Sequence, residues 1–305
     1  MKKLVKTVKH YWPLYLMFVP GFVYLFINCY IPMFGIQIAF RRYNAHDGIY
    51  GSPFCGLDNF KFLFQTNDAW IMTRNTLLYN LVFIILGNVL AIAIAIMLNE
   101  ITGKKKKQVY QTIILIPYLI SMIIVSYLAF AFLSSSNGFF NNSILKGLGL
   151  PAVDWYNTPK YWPFILVFIN LWKSLGYSMI LYYATICGID YALYEAAEID
   201  GASRWQKITH VTLPSLKSTI IILVLMSLSG IFRSDFGLFY QVTQNSGPLI
   251  KVTQTIDTYV YRGLMQTNNI GMSSAAGVYQ SVVGFILVMA ANGIVRKVDK
   301  DSALF

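Results

Sequence analysis

The feature that most constrains this chain is a series of about six apolar stretches, each close to 20 residues long, joined by shorter polar connections. A helix needs about 20 apolar residues to cross the hydrocarbon core of a bilayer, so each stretch is long enough to span a membrane. Only 12% of the residues are charged, about half the share in a typical soluble domain. We therefore predict an all-α integral membrane protein with about six transmembrane helices, over 13–39, 76–98, 111–133, 162–187, 216–238 and 275–295.

We interpret the positive charge of the chain as a signal of membrane topology. A net charge of +11 is typical of nucleic-acid-binding proteins when the chain is soluble. Here the cations concentrate in alternate connections, among them the run Lys104–Lys107, as the positive-inside rule describes. We expect no nucleic-acid partner, and we expect both termini of this multi-pass protein to lie on the cytoplasmic side.

The connection at 190–214, between the fourth and fifth apolar stretches, carries the strongest functional signal. Residues 191–199 are rich in helix formers, and Asp200-Gly201 is a turn signal that ends such a helix. Ser203 is a suitable N-cap for a second short helix, and Pro214 fits the first turn of the next membrane helix. The segment therefore predicts a compact cytoplasmic helix-turn-helix.

Two interpretations of this helix-turn-helix stay open on its residues alone. Its small side chains, flanked by Glu195, Glu198 and Arg204, suit docking into a groove of a partner protein. An amphipathic helix lying on the membrane surface has a similar composition.

The same segment resembles a known family. Glu195-Ala196-Ala197, Gly201 four residues later, and Val211-Thr212-Leu213-Pro214 match the EAA signature of ABC transporter permeases, with Val211 in place of the usual isoleucine. In that family the segment is the coupling helix that enters a cleft of the ATPase subunit. The resemblance implies that ATP-driven movement reaches the membrane helices through Glu195, Ala196, Ala197, Gly201, Leu213 and Pro214.

The resemblance extends over nearly the whole chain. Residues 11–44 and 51–64 are similar to the oligosaccharide branch of the maltose-type permeases. This implies a type I ABC importer fold, one permease domain over 1–305, and alternating access in the bacterial cell membrane. It also implies a heterodimer with a related second permease, two copies of an ATPase that bind ATP and Mg, and an extracytoplasmic sugar-binding protein. No cofactor is expected on this chain.

Charged residues inside two apolar stretches indicate a path for the sugar. Lys173 and Arg233 lie where a charge costs about 2.5–3.5 kcal/mol at a helix centre, so neither is expected to face lipid. Asn170, Lys173 and Tyr177 share one helical face. The candidate pathway residues are Asn170, Trp172, Lys173, Tyr177, Arg233 and Phe236.

The cations leave the substrate and their own partners open. If they face the path, they favour an anionic oligosaccharide such as a uronate over a neutral sugar. The alternative is that Lys173 and Arg233 pair with Asp235 or with backbone carbonyls at a helix interface.

Other classes of protein lack the residues that they need. The sequence contains no G-x4-G-K-[ST] loop for phosphates, so nucleotide must bind on a partner. Cys29, Cys55 and Cys187 lie far apart, so we expect neither a disulfide framework nor a metal site. A polytopic membrane enzyme requires catalytic groups at membrane depth, and a stand-alone secondary transporter gives the EAA segment no role. Both are weaker alternatives.

Overall fold

The computed structural model describes residues 2–298. Residue 1 and residues 299–305 lie outside the described residues. The prediction that both termini are cytoplasmic therefore concerns residues that the structure does not describe. Within the described part the helices are α1 Lys2–Leu25, α2 Gly48–Gly51, α3 Asp58–Gln65, α4 Asp68–Glu100, α5 Lys104–Leu119, α6 Met122–Leu133, α7 Trp162–Cys187, α8 Tyr191–Ile199, α9 Arg204–Lys207, α10 Leu213–Ser229, α11 Ile250–Thr253, α12 Ile256–Met265 and α13 Ile270–Val298. A π-helical turn, Phe26–Tyr30, and a 3-10 segment, Ile31–Phe40, continue α1.

The prediction of an all-α protein with about six transmembrane helices is confirmed. Five helical segments are long and apolar enough to span a membrane: His10–Phe40, Asp68–Glu100, Pro159–Cys187, Arg204–Ser229 and Ile270–Gly293. The pair α5 and α6 makes a sixth span if it is counted as one, although its two halves meet at a bend of 93°. Residues 2–298 contain no β-strand, and an isolated antiparallel bridge pairs Arg41 with Phe54.

Two of the predicted stretches are not continuous helices. The stretch 111–133 is interrupted at Ile120, and Ser121 then caps α6 by accepting a hydrogen bond from the Ile124 amide at 3.4 Å. The stretch 216–238 ends as an α-helix at Ser229, where Gly230 follows. Hydrophobicity alone does not register these breaks, because the residues on either side stay apolar.

The chain divides into two compact units, of which the first comprises the residues up to Thr66 together with Val260–Tyr279. In this unit the Nδ2 group of Asn59 donates to the carbonyl oxygens of Ala39 at 3.0 Å and Arg41 at 2.9 Å. These bonds satisfy the last carbonyls of the first helical segment and fix α3 against its end. Arg41 in turn donates to the Ser52 carbonyl at 2.8 Å, which closes the loop 41–52.

The second unit, Asn67–Tyr259 and the residues from Gln280 onward, contains most of the membrane helices. Its core lies where α7 packs along α4, with Trp162, Met179 and Tyr182 fully or almost fully buried. The Tyr182 hydroxyl donates to Oδ1 of Asn88 at 2.5 Å and links the two helices by a polar contact. Helix α5 also packs against α7, at Gly176, where any side chain would clash with the Ile114 carbonyl.

Candidate functional site

The predicted helix-turn-helix at 190–214 is present, and local capping builds its first half. Asp190 caps α8 by accepting a hydrogen bond from the Ala192 amide at 3.0 Å. At the other end Gly201 has φ +76°, the left-handed conformation that glycine adopts without strain. The Gly201 amide donates to the Glu198 carbonyl at 3.0 Å, and the Ala202 amide donates to the Ala197 carbonyl at 2.8 Å. This pair of bonds is the Schellman motif, so Gly201 ends α8 as predicted.

A capping box begins the second half. The Gln206 amide donates to Ser203 Oγ at 3.4 Å, and the Ser203 amide donates to Oε1 of Gln206 at 2.8 Å. Helix α9 then passes through a π-helical turn, Ile208–Thr212, into α10, which has Pro214 in its first turn. The predicted cap and the predicted proline position are therefore both present.

Two side-chain contacts join α8 to the helix that follows it. Lys207 forms an ion pair with Glu198 across the turn. The Tyr194 hydroxyl lies 2.9 Å from Oγ1 of Thr212, which is buried at the start of α10. The first half of the helix-turn-helix is thus tied to a membrane helix by side chains as well as by the chain itself.

The signature residues lie on the accessible side of this segment. Glu195, Ala196, Gly201 and Pro214 are exposed, and Ala197 and Leu213 are half-buried. Beside them, two large apolar side chains are exposed, Ile199 at 87% and Trp205 at 71%. The sequence indicates these two residues as apolar positions of the two short helices, and no local signal marks their side chains as exposed.

The structure assigns Lys173 to the break between α5 and α6. Its Nζ group donates to the Tyr118 carbonyl at 3.1 Å and to the Ile120 carbonyl at 2.7 Å. These carbonyls belong to the end of α5, where the helix leaves its last acceptors unpaired and a positive charge is favourable. Lys173 therefore pairs with backbone carbonyls, which is one of the two alternatives that the sequence left open.

The other pathway candidates on α7 divide between two faces. The Tyr177 ring stacks on the Tyr118 ring, with centroids 5.0 Å apart, on the same face as Lys173. Trp172 instead borders an apolar cavity of about 530 Å³ between α6 and α7, among Phe132, Phe164 and other nonpolar side chains. Asn170 is half-buried on the same helix. Tyr118 is the residue of this group that sequence analysis missed.

Arg233 lies in the break that follows α10. Its side chain is exposed and forms no ion pair within residues 2–298. No ion pair joins it to Asp235, whose Oδ1 accepts a hydrogen bond from the Leu238 amide at 3.1 Å. The Phe236 ring stacks on the Tyr240 ring with centroids 4.7 Å apart.

The two helix breaks adjoin. A Cβ atom placed on Gly237 would lie 2.5 Å from Cγ of Met122, so the first residue of α6 packs directly against the turn after Arg233. Met122 follows Ile120, whose carbonyl binds Lys173, by two residues. The break whose Ile120 carbonyl binds Lys173 and the turn that follows Arg233 therefore lie side by side.

Within the described part of the chain, no group of three or more His, Cys, Asp or Glu side chains is placed to hold a metal ion.

Comparison with known proteins identifies the family. Residues 87–300 match the model of the binding-protein-dependent transport system inner membrane component. Protein LplB of Bacillus subtilis (strain 168) is 33% identical, with 94% of this chain and 90% of LplB covered. The polygalacturonan/rhamnogalacturonan transport system permease protein YteP of the same organism is also 33% identical, with 98% of this chain and 92% of YteP covered.

A solved structure gives the same result in three dimensions. The crystal structure of a bacterial ABC transporter involved in the import of the acidic polysaccharide alginate contains a chain with TM-score 0.89 and 34% identity to this one. The alignment covers 97% of this chain and 99% of that chain. Since both the family model and these relatives match most of its length, the chain belongs to the binding-protein-dependent transport system inner membrane components, the permeases of ABC importers.

Proposed function

We propose that this chain forms half of the translocation pathway of an ATP-driven importer for an oligosaccharide that carries negative charges. The observation that carries this proposal is the exposed side chain of Arg233 at a break in a membrane helix. A guanidinium in hydrocarbon is costly, so an arginine at this depth is expected to face a water-filled path. Relatives support an acidic substrate, since YteP is named for polygalacturonan and rhamnogalacturonan and the solved importer takes alginate.

The groups at the two adjoining helix breaks suit a carbohydrate. Lys173 uses two of its three N–H donors on carbonyls and keeps one for a sugar oxygen. Exposed aromatic faces such as that of Tyr177 stack on sugar rings, and amides bind hydroxyl groups. We therefore keep Asn170, Tyr177 and Phe236 in the proposed path. We propose Trp172 for it as well, on the face of α7 that borders the apolar cavity.

The helix-turn-helix at 190–214 is, in this proposal, the coupling segment that docks on an ATPase. Its exposed Ile199 and Trp205 provide apolar anchors of the kind that dominate protein interfaces, and Glu195 lies exposed nearby. The contacts from α8 to Lys207 and Thr212 would carry a movement of the docked helix into α10. A helix that lies on the membrane surface is the competing interpretation.

The assembly that we infer has four kinds of protein. This permease pairs with a related second permease, both dock on two copies of a cytoplasmic ATPase that bind ATP and Mg, and an extracytoplasmic binding protein delivers the sugar. The chain lies in the bacterial cell membrane with both termini in the cytoplasm. The YteP and alginate relatives support a sugar as the cargo.

Reversing the charge of Glu195 separates the two interpretations of the coupling segment. If the segment docks on an ATPase, Glu195→Lys removes sugar uptake while the chain still inserts, because the new charge disturbs the interface. If the segment lies on anionic lipid, an added lysine strengthens that attraction and uptake stays normal. Asp154→Lys, an exposed position in the loop before α7, is the control for charge reversal away from the segment.

The substrate class is tested on the cognate binding protein. Oligouronates and neutral oligosaccharides of equal length are compared by calorimetry. We expect binding of the uronates, and a protein that binds the neutral series alone would overturn the proposed substrate.

A further inference from the structure

Within the predicted membrane stretch 216–238, the segment 230–235 is an irregular piece of backbone. Helix α10 has 17 residues and covers about 25 Å before the break, so the break falls far from the predicted cytoplasmic end. Backbone N–H and C=O groups at such a depth are costly unless other protein groups pair with them. The partners of this segment therefore determine how firmly it is held.

An asparagine of α4 binds the segment from one side. The Nδ2 group of Asn80 donates to the Ile231 carbonyl at 3.0 Å and to the Arg233 carbonyl at 2.8 Å. Both carbonyls lie beyond Ser229, the last residue of α10, so the helix itself does not pair them. A single amide group thus fixes the backbone on both sides of Phe232.

Residues of α12 and α13 bind the segment from the other side. Nε2 of Gln280 donates to the Phe232 carbonyl at 2.8 Å and to Oδ1 of Asp257 at 3.2 Å. The other carboxylate oxygen of Asp257 accepts from the amide and from the hydroxyl of Ser234, each at 2.7 Å. Gln280 and Asp257 therefore hold the residues immediately before and after Arg233.

All the backbone groups that these contacts fix belong to residues 231–234, that is, to Arg233 and its close neighbours. Phe232 is 2% exposed and Ser234 is half-buried, whereas Arg233 between them is exposed. We infer that Asn80, Asp257 and Gln280 are positioning residues that hold the backbone of Arg233 so that its guanidinium recognises the carboxylates of the transported oligosaccharide. This inference rests on the proposed function, in which Arg233 faces the path.

The physical effect of the positioning is a lower entropic cost of recognition. A long arginine side chain on a mobile backbone loses freedom when it binds a carboxylate, and that loss weakens the interaction. Three helices that fix the backbone beforehand remove part of this cost. We call the contacts from Asn80, Asp257 and Gln280 the clamp. Loss of the clamp should therefore weaken the preference for a charged substrate before it abolishes transport.

The experiment measures charge selectivity in the complete importer. The importer is reconstituted in liposomes with its binding protein at saturation and ATP inside. Uptake of an oligogalacturonate is compared with uptake of its methyl ester, which has the same length without the charge. Arg233→Met should lower the ratio of acid to ester uptake about tenfold, since hydrogen bonds between charged groups are the strong ones.

The clamp variants should act in the same direction through Arg233. Asn80→Leu and Gln280→Met remove the donors at similar volume, and each should lower the ratio severalfold. Combined with Arg233→Met, neither should lower it further, because both act through the same guanidinium. The control is Asn88→Leu on the same helix, which removes the bond to Tyr182 without touching the segment, and it should lower total uptake while the ratio stays constant.

The outcomes separate the inference from the proposed function. If Arg233→Met lowers the ratio and both clamp variants leave it unchanged, the positioning role is wrong and the proposed function stands. If Arg233→Met itself leaves the ratio unchanged, charge recognition by Arg233 is wrong, and the clamp loses its role with it. Should Asn80→Leu fail to assemble, Gln280→Met alone decides the question.

Discussion

The ammonium group of Lys173 lies 2.7 Å from the carbonyl oxygen of Ile120, at the bend between α5 and α6. A lysine of α7 thus donates to carbonyls that the end of α5 leaves unpaired. The positive charge of Lys173 in an apolar stretch therefore has hydrogen-bond partners in the structure. We expect its removal to lower the stability of the protein.

Lys173→Met should destabilise the assembled importer. The substitution leaves the Tyr118 and Ile120 carbonyls without their donor, and a charge-assisted hydrogen bond contributes about 1.5–3 kcal/mol. We expect the Tm of the purified complex in detergent to fall by several degrees. Arg233→Met, which removes a cation with no ion-pair partner in residues 2–298, is the control and should leave Tm nearly unchanged. A Tm unaffected by Lys173→Met would show that Lys173 does not stabilise the bend.

Gly201→Ala should weaken coupling through the backbone alone. A Cβ atom at Gly201 would meet nothing within 4 Å, so the cost comes from its φ of +76°, about 1 kcal/mol for a residue with a side chain. We expect lower ATP-dependent uptake for Gly201→Ala, a smaller loss for Gly201→Asn, and complete loss for Gly201→Pro, whose ring fixes φ near −65°. Uptake and the ATPase rate are measured together. Normal uptake in Gly201→Pro would remove the turn from the coupling route.

Gly176→Ala should disrupt the contact between α5 and α7. The added Cβ would overlap the Ile114 carbonyl oxygen, so the backbone of α5 would have to move. Overpacking of this kind costs about 1–3 kcal/mol or more, so we expect poor assembly and a lower Tm. The control is Gly87→Ala at the interface of α4 and α7, where the nearest atom, Cδ2 of Leu171, is at an ordinary 3.8 Å. Equal Tm values for the two variants would contradict the close packing of α5 on α7.

The turn at 200–203 could be predicted from sequence because its signals are local. Asp200-Gly201 and Ser203 act on backbone groups within a few residues, and the structure has both caps where they were expected. The family resemblance, which the comparisons confirm, also decided between an importer permease, a secondary transporter and a membrane enzyme.

The helix breaks could not be predicted in this way, because the groups that stabilise them are distant in sequence. Asn80 lies 151 residues from Ile231, and Gln280 lies 48 residues from Phe232. Single polar residues within long apolar stretches give no indication of which backbone they bind. For the same reason, the sequence does not decide whether Lys173 pairs with a carboxylate, with a carbonyl or with the substrate.

The most direct test of the account is uptake by purified components in liposomes. The permease pair is reconstituted with and without its ATPase and its binding protein, and accumulation of a labelled oligouronate is followed with ATP inside. We predict accumulation when all components and ATP are present, and none when the ATPase, the binding protein or ATP is left out. Accumulation by the permeases alone, or import by the complete assembly of neutral oligosaccharides but not of oligouronates, would contradict the account.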